Sequence, residues 1–170
     1  LVASVGLPAS TAQADQDIVF DGAGDARQIS LIGDSTLAGV RWYDDYGDLR
    51  RYNFVLNAES CRRTVEQSCI SREGYRSANV LSTMRSLDGE LGKLLVVMTG
   101  YNDPVWSIDE AIAEVTAEAR RQGVDNVLWL TLRTSFDVDY SDPQEQSSID
   151  TFREYNDQLL DAAEASGGFL

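Results

Sequence analysis

The chain is predicted to adopt an α/β fold built on a mainly parallel sheet. Three observations predict it. Apolar runs of strand length alternate with amphipathic stretches of helix length, two of the runs end in a glycine followed by polar side chains, and no repeat or linker interrupts the pattern. With 170 residues, 43% of them hydrophobic, the composition is that of one globular domain able to bury a core.

The elements follow in order. Residues 1–14 are expected to be the remnant of a secretory signal peptide. An apolar stretch over residues 1–7 precedes Pro8, and Ala12-Gln13-Ala14 forms an A-x-A cleavage pattern before polar Asp15-Gln16-Asp17. Residues 15–27 are read as an N-terminal extension, and residues 28–170 as the domain. Strands are expected at 29–32, 54–56, 94–98 and 127–131. A helix is expected over 77–87, with Val80, Leu81, Met84 and Leu87 on one face. Ser107-Ile108-Asp109-Glu110 reads as a capping box opening the clearest helix, whose stripe is Ile108, Ala111, Ile112, Val115 and Ala119 and whose stop is Gly123. The last helix is expected from Ser147 or Ser148, using Ile149, Phe152, Leu159, Leu160 and Ala163. Between them, residues 134–146 read as a solvated acidic loop. Asp137, Asp139 and Asp142 lack the glycine and distal glutamate of a calcium loop.

Charge narrows the function. There are 14 basic against 28 acidic residues, a net charge of −14, which argues against nucleic acid and anionic membrane surfaces as partners. No segment approaches the ~18 apolar residues of a membrane span. Cys61 and Cys69, close in sequence among polar residues, fit a local disulfide in an oxidising compartment, worth roughly 2 to 3 kcal/mol for so short a loop. Free thiols or half a metal site are the alternatives. Zinc is disfavoured, because the chain holds no histidine and no third cysteine. Both the leader and the cysteines point to a secreted, extracellular protein.

The chemistry-bearing residues sit at strand ends. The first strand runs into Gly33-Asp34-Ser35-Thr36, which presents a serine at the carboxyl edge of the sheet and at the start of a helix. There the helix amides and dipole would favour an oxyanion. A plain helix N-cap is the bland alternative for Ser35. The third strand ends in Thr99-Gly100-Tyr101-Asn102-Asp103 on the same edge, so the Asn102 amide is placed to donate to an oxyanion. Between them, the second strand leads into Asn57-Ala58-Glu59-Ser60-Cys61-Arg62-Arg63-Thr64, a polar turn that offers a further backbone donor.

With these blocks in this order the chain resembles the SGNH, or GDSL-type, hydrolase family. Gly33-Asp34-Ser35 matches the nucleophile block and Gly100-Tyr101-Asn102-Asp103 the G-x-N-D block. The resemblance implies a three-layer α/β/α sandwich with a mainly parallel, flavodoxin-like sheet, and an esterase needing no metal or organic cofactor. It implies Ser35 as nucleophile and an oxyanion hole from Ser35, Asn102 and the second block. Gly33, Asp34, Gly100 and Asp103 would support the motifs. In the second block family members usually carry glycine, so the donor here would be the N–H near Cys61, and Arg62 and Arg63 are candidates for lining the pocket. That block looks closer to secreted actinobacterial members, and to SGNH domains attached to membrane acyltransferases, than to lipases.

One departure is larger. The family's D-x-x-H block supplies the aspartate and histidine of the triad, and this chain contains no histidine. Asp137, Asp139 and Lys93 are poor substitutes by position. The expectation is a domain incomplete at its C-terminus and inactive alone, whose complete form hydrolyses or transfers a small acyl group on a small-molecule or carbohydrate ester. The alternatives are a non-catalytic binding domain that keeps the pocket, and a flavodoxin-like nucleotide binder. The latter is disfavoured because the first turn is not glycine-rich.

Overall fold

The structure is a computed structural model that describes residues 17–22, 28–135 and 143–170. The expected signal remnant and the acidic residues Asp137, Asp139 and Asp142 lie outside the described residues. Five strands are described, β1 (Asp17–Phe20), β2 (Gln28–Gly33), β3 (Asn53–Ala58), β4 (Leu94–Met98) and β5 (Asn126–Trp129). They form one sheet in the order β1-β3-β2-β4-β5. Only the β1–β3 pairing is antiparallel. Four α-helices are described, α1 (Ser35–Trp42), α2 (Val80–Ser86), α3 (Ile108–Arg121) and α4 (Pro143–Ala165).

Alternation along the central strands supplies two cores. Leu31, Leu56 and Val96 pack with Leu37 and Ala38 of α1 on one face of the sheet. Ile32, Leu95 and Val97 pack on the other with Val80 and Met84 of α2, Ile112 and Val115 of α3, and Tyr155 and Leu159 of α4. The central strands therefore read as continuous apolar runs because both their faces are covered.

Strand order fixes where a site can form. From the central β2 the chain moves to one side for β3 and then crosses to the other for β4. The carboxyl ends of β2 and β4 thus flank a topological switch point, the crevice where open α/β sheets hold ligands. Gly33 stands in register with Met98. Just beyond, the Asp34 N–H donates to the Met98 carbonyl at 2.9 Å, so the two strand exits are tied together.

Several local expectations change. The segment read as an N-terminal extension contains β1, whose antiparallel pairing with β3 is a long-range contact without a periodic signal of its own. The helix expected from residue 77 begins at Val80, because Asn79 caps it by accepting the Ser82 N–H at 2.7 Å. Ser107 stands at the N-cap of α3 but does not cap it. Its hydroxyl donates to the Pro104 carbonyl at 2.9 Å instead, closing the preceding 3-10 turn (Val105–Ser107). The stripe of α3 is buried throughout, and Gly123 at φ +75° ends the helix. The last helix begins at Pro143, four or five residues earlier than its serines indicate, with proline in the first turn where its missing N–H costs nothing. Leu160 is exposed, and Tyr155 occupies the core in its place.

Candidate active site

Each functional side chain is set by a strand exit. At the end of β2, Gly33 admits no side chain: a Cβ there would lie 2.7 Å from the Leu37 Cβ and 2.8 Å from the Met98 carbonyl oxygen. Its absence lets α1 start immediately and close over the strand. The N-cap of α1 is Asp34, whose Oδ1 accepts the Thr36 N–H at 2.9 Å. Ser35 is therefore not the cap. It is the first helical residue, half-buried, and its hydroxyl makes no hydrogen bond among the described residues.

Asp34 itself is wholly buried, and its Oδ2 has no hydrogen-bond partner among the described residues. Burial outweighs the Thr36 hydrogen bonds and pushes its carboxyl up to about 6, with the nearby Asp103 charge adding to the rise and Arg62 opposing it.

The exit of β3 is bound to the same turn. The Glu59 N–H donates to the Gly33 carbonyl at 3.1 Å. Wholly buried Glu59 is held by Arg41 of α1, with Nη1–Oε1 2.9 Å and Nη2–Oε2 3.2 Å. Ser60 Oγ accepts the Arg72 N–H at 2.6 Å and donates to Glu73 at 3.1 Å. The chain then turns at Cys61, whose φ of +61° is the left-handed conformation that favours glycine. Cys61 is disulfide-bonded to Cys69. Arg62 is fully buried under the turn, its Nη1 donating to the Asn57 carbonyl at 2.8 Å, while Arg63 is half-buried.

At the exit of β4, Gly100 has φ +140°, and a Cβ would meet the Tyr155 ring at 2.7 Å. Tyr155 donates its hydroxyl proton to the Thr99 carbonyl at 3.0 Å, which anchors α4 under this turn. Burial and the Asp103 charge drive its phenol well above its ordinary range. Asn102 is half-buried, and its Nδ2 donates to the Arg62 carbonyl at 3.4 Å. Asp103 accepts the Thr64 N–H on Oδ1 at 2.8 Å and the Thr64 hydroxyl on Oδ2 at 3.0 Å. Burial raises its carboxyl too, against the pull of the Thr64 hydrogen bonds.

The three blocks therefore meet. Gly33, Asp34 and Ser35 adjoin the β4 exit through Asp34 and Met98 and the β3 exit through Glu59 and Gly33, while Asn102 and Asp103 grip the turn at Arg62 and Thr64. Sequence reasoning missed Arg41, Glu59, Thr64, Thr99 and Tyr155. Their partners lie 18 to 56 residues away, a separation that leaves no local signal. A separate cavity of about 320 Å³ between α3 and α4, lined by Ile112, Thr116, Arg120, Ala162 and Leu170 among others, contains none of these residues. No group of acidic or cysteine side chains among the described residues is placed to hold a metal ion.

Chemically, the arrangement offers a hydroxyl, unengaged among the described residues, at the positive end of a helix, on the sheet edge that also carries the Asn102 amide and the left-handed turn at Cys61. No protein-family model matches the chain, and no curated protein or solved structure matches it either.

Proposed function

We propose that this chain is an SGNH-type serine esterase domain, a three-layer α/β/α sandwich that uses Ser35 to cleave or transfer an ester-linked acyl group. One observation carries the reading. Asp34 takes over the capping of α1, which leaves the Ser35 hydroxyl unengaged among the described residues at the switch point, on the edge that also bears Asn102. A serine whose work was structural would itself have been the cap.

In the proposed reaction the Ser35 Oγ attacks the ester carbonyl. The resulting oxyanion is received by the Asn102 amide and by backbone N–H groups at Ser35 and in the Cys61 turn. Collapse expels the alcohol, and water or a second hydroxyl releases the acyl group from Ser35. The Ser35 proton needs an acceptor, and the chain contains no histidine to be one. A net charge of −14 favours an uncharged acceptor, such as a carbohydrate or cell-envelope polymer, over an anionic one. The Cys61–Cys69 disulfide supports an extracellular setting.

The test supplies the missing base. Hydrolysis of p-nitrophenyl acetate is measured across a series of imidazole concentrations, for the wild type and for Ser35→Ala. The expected result is negligible turnover without imidazole and an imidazole-dependent rate above the Ser35→Ala background. Equal rates for the two proteins at every concentration would sink the nucleophile assignment. The lack of histidine also favours a second reading, a binding domain that keeps the pocket and performs no chemistry. In that case acylated sugars would bind both proteins equally, with no acyl transfer to Ser35 detectable by mass.

A further inference from the structure

Among the described residues, only Asp44 and Cys61 combine a side chain with a left-handed backbone. Asp44 lies exposed in the loop after α1, whereas Cys61 sits in the turn assigned to oxyanion binding. A Cβ crowds the neighbouring carbonyl in this conformation, and glycine adopts it freely. Something other than local preference therefore keeps Cys61 there.

The ties on this turn converge. The disulfide fixes the side chain to Cys69, with the Cα atoms 5.4 Å apart. The Cys69 N–H donates to the Cys61 carbonyl at 3.3 Å, and the Arg63 N–H to Ser68 Oγ at 3.2 Å. Residues 61–69 thus form a closed ring stapled at both flanks. The Arg62 carbonyl within it receives the Asn102 amide at 3.4 Å, so a shift of the turn reaches the other oxyanion donor as well.

We propose that the Cys61–Cys69 disulfide is the positioning device of the oxyanion turn: it holds at Cys61 a backbone geometry that glycine reaches unaided, and so makes acyl transfer at Ser35 conditional on the oxidised bond. The inference rests on the esterase reading for its catalytic half. Both cysteines are half-buried, which leaves the bond within reach of a small reductant. A trialkyl phosphine supplies two electrons to the sulfurs. Water supplies two protons to the thiols and its oxygen to the phosphine oxide, so the step balances without a further reactant.

Two measurements decide it. Nuclear magnetic resonance couplings of labelled protein report φ at residue 61 before and after phosphine reduction, with thiol formation verified by mass and folding by the dispersed spectrum. Imidazole-supported esterase kinetics are recorded in parallel for the wild type and for the double variants Cys61→Gly/Cys69→Ala and Cys61→Ala/Cys69→Ala. Reduction is expected to move residue 61 out of the left-handed region and to lower kcat about tenfold with KM little changed. The glycine double variant is expected to turn over at least about fivefold faster than the alanine one and to ignore the phosphine. A left-handed residue 61 in the reduced, folded protein overturns the proposal, as do equal rates for the two double variants. If the oxidised wild type has no Ser35-dependent turnover, the esterase reading fails and takes the catalytic half with it. The resonance measurement needs no turnover and tells the two failures apart.

Discussion

Arg41 grips both carboxylate oxygens of Glu59, at 2.9 and 3.2 Å, and so joins the helix that starts at Ser35 to the strand exit that leads to Cys61. The Glu59 side chain is fully buried and that of Arg41 only 12% exposed. Removing Arg41 would take the bidentate guanidinium away from a buried carboxylate. Arg41→Met is expected to destabilise the fold by about 3 to 5 kcal/mol, and Arg41→Met/Glu59→Gln by clearly less. Urea unfolding of the two variants checks this, and a double variant as damaged as the single one would contradict it.

Asn102 is expected to act on the transition state. Asn102→Ala should lower the imidazole-supported kcat by about 10² to 10³ with KM nearly unchanged, the loss typical of an oxyanion-hole side chain. Its folded state loses one long hydrogen bond to the Arg62 carbonyl, so thermal unfolding should shift little. A kcat within threefold of the wild type would remove Asn102 from the site.

Asp34 gives a signed pH dependence. Its carboxyl is raised from its ordinary 3.8 to about 6, so the folded state binds the proton more tightly than the unfolded chain does. The stability this contributes is fully present below about pH 4 and is lost as pH rises through about 6, a swing on the order of 3 kcal/mol. Asp34→Asn keeps an oxygen for the Thr36 N–H and carries no charge, so its stability relative to wild type should climb across that window. Urea midpoints at pH 4, 5, 6 and 7 measure the difference. A difference that stays flat would refute the buried-charge account.

Gly100 allows no side chain. In Gly100→Ala the new methyl would meet the Tyr155 ring at 2.7 Å in a backbone conformation of φ +140°. Overpacking and strain together are expected to cost about 3 kcal/mol or more. Pairing it with Tyr155→Leu tests the cause. Partial recovery of thermal stability is expected, and none would mean that the backbone alone sets the penalty.

The sheet was legible because its central strands are buried on both faces. The 94–98 run matches β4 end for end, and the ends of the other runs lie within one or two residues of those of β2, β3 and β5. The edge strand β1 was not legible, since it is defined by the residues it pairs with and not by any pattern of its own. The same divide separates the parts of the site. Gly33-Asp34-Ser35 and Gly100-Tyr101-Asn102-Asp103 are contiguous and stand out from the apolar runs before them. The grips of Asp103 on Thr64 and of Arg41 on Glu59 join residues 39 and 18 apart, and only the fold brings them together. Ser107-Ile108-Asp109-Glu110 misleads because the hydroxyl finds a nearer acceptor in Pro104.

The division of labour between Asp34 and Ser35 makes position 35 a chemical address. Because the helix takes its cap from the neighbouring aspartate, the side chain at 35 can be exchanged without unwinding the first turn. A cysteine there would sit at the start of a helix, where a thiolate is favoured over the thiol. Ser35→Cys would thereby turn the strand exit into an attachment point for alkylating labels, able to capture acyl donors as thioesters or to carry a reporter into the crevice between β2 and β4.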